Sequence, residues 1–248
     1  MMEELTEQNS IPKCSSISLT SPVRAILFDL DETLMNRRKA LSAFTEQLIQ
    51  DYGHDFEVQD PDRIQQLVKQ ADGGGYIPKT EMYERLVPLL GWREAPATDT
   101  FMGYWYRLYP TCAKPEEGLL PTLHYFKQQG LCLGLITNGQ TAVQQPKIDL
   151  LGIRDLFGSI IVSEAAGCKK PDPAIFQLAL RELDVTSAEA WYVGDHPRND
   201  VLGAASAGLC TIWKQGIHDW EHTLPVQPQA VITGLEELIP LYNKHRLT

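Results

Sequence analysis

Six short apolar runs, separated by stretches with helical periodicity, constrain this chain more than any other feature. They are Val23–Phe28, Leu131–Ile136, Ser159–Val162, Ala190–Val193, Leu209–Trp213 and the weaker Ala230–Ile232. Their near-continuous apolar character suits strands buried on both faces of a parallel sheet. Strands that alternate with helices imply right-handed βαβ units. The expected fold class is α/β, with a Rossmann-like doubly wound, mainly parallel sheet. Helix signals support it. Asp172-Pro173 offers an N-cap with proline in the first turn, and Phe176, Ala179, Leu180 and Leu183 follow on one face. Pro121 opens a helix that stops before Gly130, and the stretch from Pro197 to Ala207 ends at Gly208, a left-handed C-cap. In the helix expected after Asn138, Pro146 fits only within the first turn or at a bend.

One interval breaks the alternation. Between the first run and Leu131 the pattern is helical throughout. Leu41, Phe44, Leu48 and Ile49 make one apolar face. Asp60-Pro61 starts a second helix, with Ile64, Leu67 and Val68. Thr80 is the expected cap of a third, with Tyr83, Leu86, Val87 and Leu90; Phe101, Met102, Trp105 and Tyr109 mark a fourth. The expected organisation is a helical cap domain over 36–116, inserted into an α/β core of 22–35 and 117–248, after a polar extension over 1–21.

Composition excludes some classes of function. With 43% apolar residues the chain can bury a sizeable core. A net charge of −10, with no basic run longer than Arg37-Arg38-Lys39, argues against a nucleic-acid partner. No apolar run reaches the roughly 18 residues that a membrane span needs. The five cysteines (Cys14, Cys112, Cys132, Cys168 and Cys210) form no C-x-x-C pair, which suits a reducing, cytoplasmic setting. Cys132 and Cys210 read as core residues. Nothing in the sequence specifies an oligomeric state.

Chemistry gathers at the ends of four of the runs. The first ends in Asp29-Leu30-Asp31-Glu32-Thr33, and side chains two apart on a strand share a face. Two carboxylates so close need a cation or a shared proton, although paired acids also occur in purely structural networks. Ile136-Thr137-Asn138-Gly139 offers a hydroxyl and successive N–H groups that suit an anion, and is equally a common turn. Lys170, ahead of the capped helix, supplies a fixed positive charge or is a solvated loop residue. Asp195, after Val193-Gly194, suits a Mg²⁺ ion or acts only as an N-cap. Together the four loops bring Asp29, Asp31, Thr137, Lys170 and Asp195 to one edge of one sheet. That set contains a nucleophile, an acid/base, an oxyanion clamp, a cation and a metal ligand.

These four ordered motifs, Asp29-x-Asp31-x-Thr33, Thr137, Lys170 and Gly194-Asp195-x-x-x-Asn199-Asp200, resemble those of the haloacid-dehalogenase-like hydrolase superfamily. The likeness extends from about Val23 to Thr233. The position of the helical insertion resembles the helical-cap subgroup, and within it the chain is similar to nucleotidase-type and sugar-phosphate phosphatases. The resemblance implies a Mg²⁺-dependent phosphatase acting on a small phosphorylated metabolite, a nucleoside monophosphate or a sugar phosphate. It implies Asp29 as nucleophile, forming an aspartyl-phosphate, and Asp31 as general acid and base. It implies Mg²⁺ on Asp29, the main-chain carbonyl of Asp31, and Asp195, with Thr33 and Asp200 in support. Thr137, the Asn138 main chain and Lys170 would hold the phosphoryl oxygens. Members that cleave carbon–halogen bonds differ at the position of Asp31, so its presence favours phosphoryl transfer. His196 departs from the Ser or Thr usual there. A phosphosugar mutase or other phosphotransferase, and a non-catalytic binding protein on the same scaffold, are the alternatives. The cap should close over the site, with hinges near Met35–Arg38 and Ala113–Gly118. Arg37, Arg38 and Lys39 follow the catalytic loop and are placed to meet an anionic substrate, although at least two of them are expected to be solvated. The loop 72–79 offers Tyr76 or Lys79 to a leaving group, or merely joins two helices.

Overall fold

A computed structural model describes residues 22–247; the extension expected over 1–21 lies outside the described residues. All six expected strands form: β1 (Ala25–Phe28), β2 (Cys132–Thr137), β3 (Ser159–Val162), β4 (Ala190–Gly194), β5 (Cys210–Lys214) and β6 (Ala230–Ile232). They make one sheet in the order β3-β2-β1-β4-β5-β6, and every pairing is parallel. Each residue of β1 has a register partner on both β2 and β4. The winding reverses at β1 and β4, and ligands of open α/β sheets bind at such a switch point, beyond the carboxyl ends of the strands.

Alternation along β1 explains its unbroken apolar sequence. Ile26 and Phe28 join the apolar cluster on one face, and Ala25 and Leu27 join the cluster on the other. The first face is covered by α5 (Leu119–Gln128) through Leu123 and Phe126 and by α10 (Leu238–Arg246) through Tyr242. The second is covered by α8 (Pro173–Glu182), whose Ile175, Phe176, Ala179 and Leu180 are buried, with Asp172 accepting the N–H of Ala174 as N-cap. Burying each large apolar side chain contributes about 1.5–3 kcal/mol.

Between β1 and α5 lie four α-helices: α1 (Arg37–Tyr52), α2 (Pro61–Asp72), α3 (Lys79–Leu90) and α4 (Thr98–Leu108). Asn36 caps α1 and Asp60 caps α2. Phe44, Tyr104, Trp105 and Tyr109 interlock by ring contacts, as do Tyr83, Trp92 and Phe101. The two chain segments that enter and leave this region run side by side. Asn36 N–H donates to Lys114 O and Glu116 N–H to Leu34 O, both at 2.9 Å, around an antiparallel bridge between Met35 and Pro115.

Three expectations need correction. Thr80 is the second residue of α3 and no cap; Pro78, extended at ψ 138°, precedes the helix and accepts the N–H of Met82. Pro146 lies past the first turn of α6 (Thr141–Leu150), which continues through it. Proline removes its own N–H and crowds the carbonyl four residues back, and side chains on either side of it anchor the helix in the site described below. Cys132 is exposed, because it is the first residue of β2 at the amino edge of the sheet, whereas Cys210 is buried. After β4 the chain forms one π-helical stretch, Pro197–Leu202, which leads into α9 (Gly203–Ser206); Gly208 then takes the left-handed conformation expected of it. The remaining helix, α7 (Ser163–Ala166), is a single turn. Among the described residues no helix is long and apolar enough to cross a membrane.

Candidate active site

The end of β1 is held by its neighbour. Asp29 N–H donates to Val193 O at 2.9 Å, which carries the strand pairing to the first acid. Glu32 then takes φ 63°, and the chain doubles back so that Glu32 N–H meets Met35 O. This tight loop lies under a cavity of about 710 Å³, lined by Asp29, Asp31, Thr137, Lys170, Asp195 and Asp200 among others. The structure therefore brings together every one of these sequence-derived site residues. Thr33 is fully buried beneath them, its hydroxyl without a hydrogen-bond partner among the described residues.

The two acids of the motif have different company. Asp29 accepts from Lys170 Nζ at 2.6 Å, and the same ammonium donates to Asp200 at 2.7 Å and to Tyr192 OH at 3.0 Å. One carboxylate oxygen from each of Asp29, Asp195 and Asp200 falls within 4.8 Å of the others. Burial, opposed by Lys170 and helped by Asp200, pushes the Asp29 carboxyl up to about 7. Burial, with Asp200 and Asp29 adding to it, raises Asp195 well above the carboxylate range. Burial works against the charge of Lys170, but Asp200 and Asp29 outweigh it and hold the ammonium above its ordinary value. Three buried oxygen-donor acids with one compensating ammonium suit a hard divalent cation. Gly194 is required here, because a Cβ would collide with the Asp200 side chain.

Asp31 is held separately. Lys147 Nζ donates to its two oxygens at 2.8 and 3.2 Å, and Gln144 Nε2 donates to Oδ2 at 2.8 Å. Burial pulls Asp31 upward, yet Lys147, Gln144 and the more distant Arg37 prevail and keep it below the usual carboxylate range. Its carboxylate thus stands outside the cluster formed by Asp29, Asp195 and Asp200. Gln144 also donates to Thr137 Oγ1 at 2.5 Å. That occupies an acceptor site of Thr137 and leaves the hydroxyl hydrogen only a 3.5 Å contact with Asn138 O. The Asn138 side chain forms a two-way clasp on the Lys170 main chain, at 2.9 and 3.0 Å, which fixes the loop that carries the ammonium. His196 caps the π-helical stretch through Nδ1 and meets His218 and Tyr76 by ring contacts. His218 Nε2 reaches Asp195 at 3.5 Å and Tyr76 OH at 3.2 Å.

Of the basic triplet, Arg38 and Lys39 are exposed, as expected for two of the three, and Arg37 is buried. Arg37 pairs with Asp72, which also accepts from Lys79 at 2.7 Å. The loop 72–79 is thus tied to the start of α1. Gly75, at φ 94°, lies so close to the Arg37 guanidinium that a Cβ would sit 2.7 Å from Nε. Sequence reasoning missed Gln144, Lys147, Asp72, Tyr192 and His218. For Gln144 and Lys147 there is a signal: polar residues three apart on a helix that follows a site loop.

The fold and this ring of strand-end groups define a hydrolase of the α/β class. A family model described as haloacid dehalogenase-like hydrolase matches residues 26–214, and the chain belongs to that family. A glyceraldehyde 3-phosphate phosphatase of Methanopyrus kandleri is 31% identical over 207 residues, covering 77% of this chain and 83% of that protein. The pyrimidine 5'-nucleotidase YjjG of Escherichia coli is 36% identical over 114 residues, 46% of this chain and 50% of that one. The magnesium-bound HAD-hydrolase YfnB of Bacillus subtilis shares the fold, with a TM-score of 0.69 at 24% identity, covering 90% of this chain and 100% of that one.

Proposed function

We propose that the protein is a phosphatase that removes the phosphoryl group from a small phosphorylated metabolite. The observation that carries this reading is the separation of the two acids: Asp29 beside Lys170 in an acid cluster, Asp31 held apart by Gln144 and Lys147. Asp29 attacks phosphorus, and the bond from phosphorus to the leaving oxygen breaks. Asp31 gives that oxygen its proton. In the second half Asp31 takes a proton from water, the water oxygen bonds phosphorus, and free phosphate departs with Asp29 restored. The low pKa of Asp31 suits the second half. For the first, the anionic phosphoryl group arriving beside it pushes its pKa upward by like-charge repulsion. Lys170, the Thr137 hydroxyl and the Asn138 main-chain N–H hold the phosphoryl oxygens.

Asp29, Asp195 and the main-chain carbonyl of Asp31 would hold Mg²⁺, with Asp200 and Thr33 supporting them. When bound, the ion neutralises charge on the transferring phosphoryl group. Residues 36–116 act as a cap that turns on the paired segments around Met35 and Pro115 and excludes water from the site. The relatives' named activities support a sugar phosphate or nucleoside monophosphate as substrate.

The test is Mg²⁺-dependent phosphate release from an aryl phosphate and a panel of metabolite phosphates. Asp29→Asn should lower kcat by at least about a thousandfold. Full activity in that variant, or an inactive wild type across the panel, would sink the reading.

A further inference from the structure

A second cavity, about 480 Å³, opens beside the first; both are lined by Asp31, Arg37, Tyr76 and Asn138. Three cationic side chains line it, Arg37, Lys79 and Lys147, against one carboxylate, Asp31. Asp72 lies behind this wall, bound by Arg37 and Lys79. Two carboxylates therefore face three cations, and one of the carboxylates is the acid/base of the proposed reaction. Burial draws the Lys79 ammonium below its ordinary value, and Arg37 and Lys147 add to that against the pull of Asp72. Positive charge here is under-compensated, which an anion would relieve.

Tyr109 gives an independent observation. It lines the same cavity, is 3% exposed, and its hydroxyl has no hydrogen-bond partner among the described residues. A buried hydroxyl in that state is unfavourable unless a ligand or an ordered water supplies an acceptor. Arg37 Cζ and Lys147 Nζ lie 6.0 and 5.1 Å from the Tyr109 ring centroid, so two of the three cations border the ring that carries this hydroxyl. Two of the aromatic rings in the lining are already engaged. Tyr109 already stacks on Trp105 at 4.4 Å and 12°, and the Lys79 ammonium lies 5.1 Å over the same Trp105 ring.

We infer that the leaving group of the substrate carries a second anionic group, a carboxylate or a second phosphate, seated among Arg37, Lys79 and the Tyr109 hydroxyl. The inference rests on the phosphatase reading for its word "substrate", but its test is a binding measurement and stands apart from turnover. The probes are alkylphosphonates of graded chain length, ending in methyl, in carboxylate or in a second phosphonate, titrated calorimetrically into the Mg²⁺-loaded protein. An acid-ended probe of the right length should bind at least about tenfold tighter than its methyl-ended match. Comparing the carboxylate and phosphonate ends tells which anion the pocket takes. Lys79→Met, which leaves the Arg37–Asp72 pair in place, should shrink that ratio. Lys79→Arg should restore it, and Tyr109→Phe should lower it in part. Equal binding of acid-ended and methyl-ended probes at every length overturns the inference, even if phosphate esters are hydrolysed. A tenfold preference supports it, even if none is.

Discussion

The two halves of the cavity floor carry opposite excess charge. On one side Asp29, Asp195 and Asp200 surround a single ammonium, Lys170. On the other, Arg37, Lys79 and Lys147 face Asp31 and Asp72. Each half centres on a buried lysine that grips one acid of the same motif, yet the consequences differ. Lys170 is outnumbered, so its half has room for a cation. Lys147 has like charges for neighbours, so its half has room for an anion. A phosphate ester bound with a divalent ion across both halves would meet attraction at each end. Removing either lysine should therefore break the pattern in a different direction.

Lys170→Met should have the largest effect. It leaves Asp29 and Asp200 without their shared donor in a fully buried setting. Losing one member of a buried ionic cluster costs about 3–5 kcal/mol, measurable by urea denaturation. Because the acid excess grows, added Mg²⁺ should raise the Tm of the variant more than that of the wild type. An equal Mg²⁺ response in both proteins would break the charge contrast on this side.

Lys147→Met should act chiefly on pH dependence. Lys147 is the strongest influence opposing the burial of Asp31, and it holds that carboxyl low. Without it the Asp31 pKa rises, so the limb of the kcat/KM profile set by Asp31 moves to higher pH. The same shift appears in stability. A carboxyl depressed on folding stabilises the protein above its unfolded pKa and loses that contribution as pH falls through the folded value. The variant should lack that acid-side loss. Its activity at neutral pH should fall by no more than about a hundredfold, since the acid itself remains. Lys147→Arg should keep the wild-type profile; a Met variant that also keeps it would detach Lys147 from Asp31.

Much of the negative half is legible in the amino-acid sequence. Asp29, Lys170 and Asp195 lie in loops that follow apolar runs, Asp200 lies in the helical stretch that follows Asp195, and a parallel sheet necessarily collects such segments at one edge. The positive half is legible only in part: Arg37 and Lys79 stand out in the sequence, but their partners do not. Lys147 and Gln144 stand on the helix expected after Asn138, but polar residues three apart on a helix more often mark a solvated face than a site. Asp72 stands where the sequence pattern suggests only the start of a loop, although it is 1% exposed and binds both Arg37 and Lys79. The Arg37–Asp72 pairing joins residues 35 apart in the chain, and no local period records it. Tyr192 is hidden for another reason: an aromatic residue in a buried strand looks like core until its hydroxyl is found on Lys170.

The smallest expected effect, and the sharpest on position, comes from comparing adjacent arginines. Arg37 and Arg38 sit side by side at the start of α1, one turned inward and one outward. Arg38 pairs with Glu32 at 3.6 Å, but its side chain is 58% exposed, so water and salt screen the pair. Arg38→Ala should change unfolding free energy by no more than about 1 kcal/mol and activity by less than about twofold. The Glu32 carboxylate keeps the main-chain N–H of residue 38 as a donor, which the substitution does not remove. Arg37→Met deletes a guanidinium that meets both oxygens of buried Asp72, and should cost several-fold more in the same urea titration. If the two variants prove equally mild, the Asp72 pairing contributes little and the positive half is looser than its distances imply. If Arg38→Ala is the more damaging, the field that matters reaches the site from its solvent rim, and raising the salt concentration should abolish the difference.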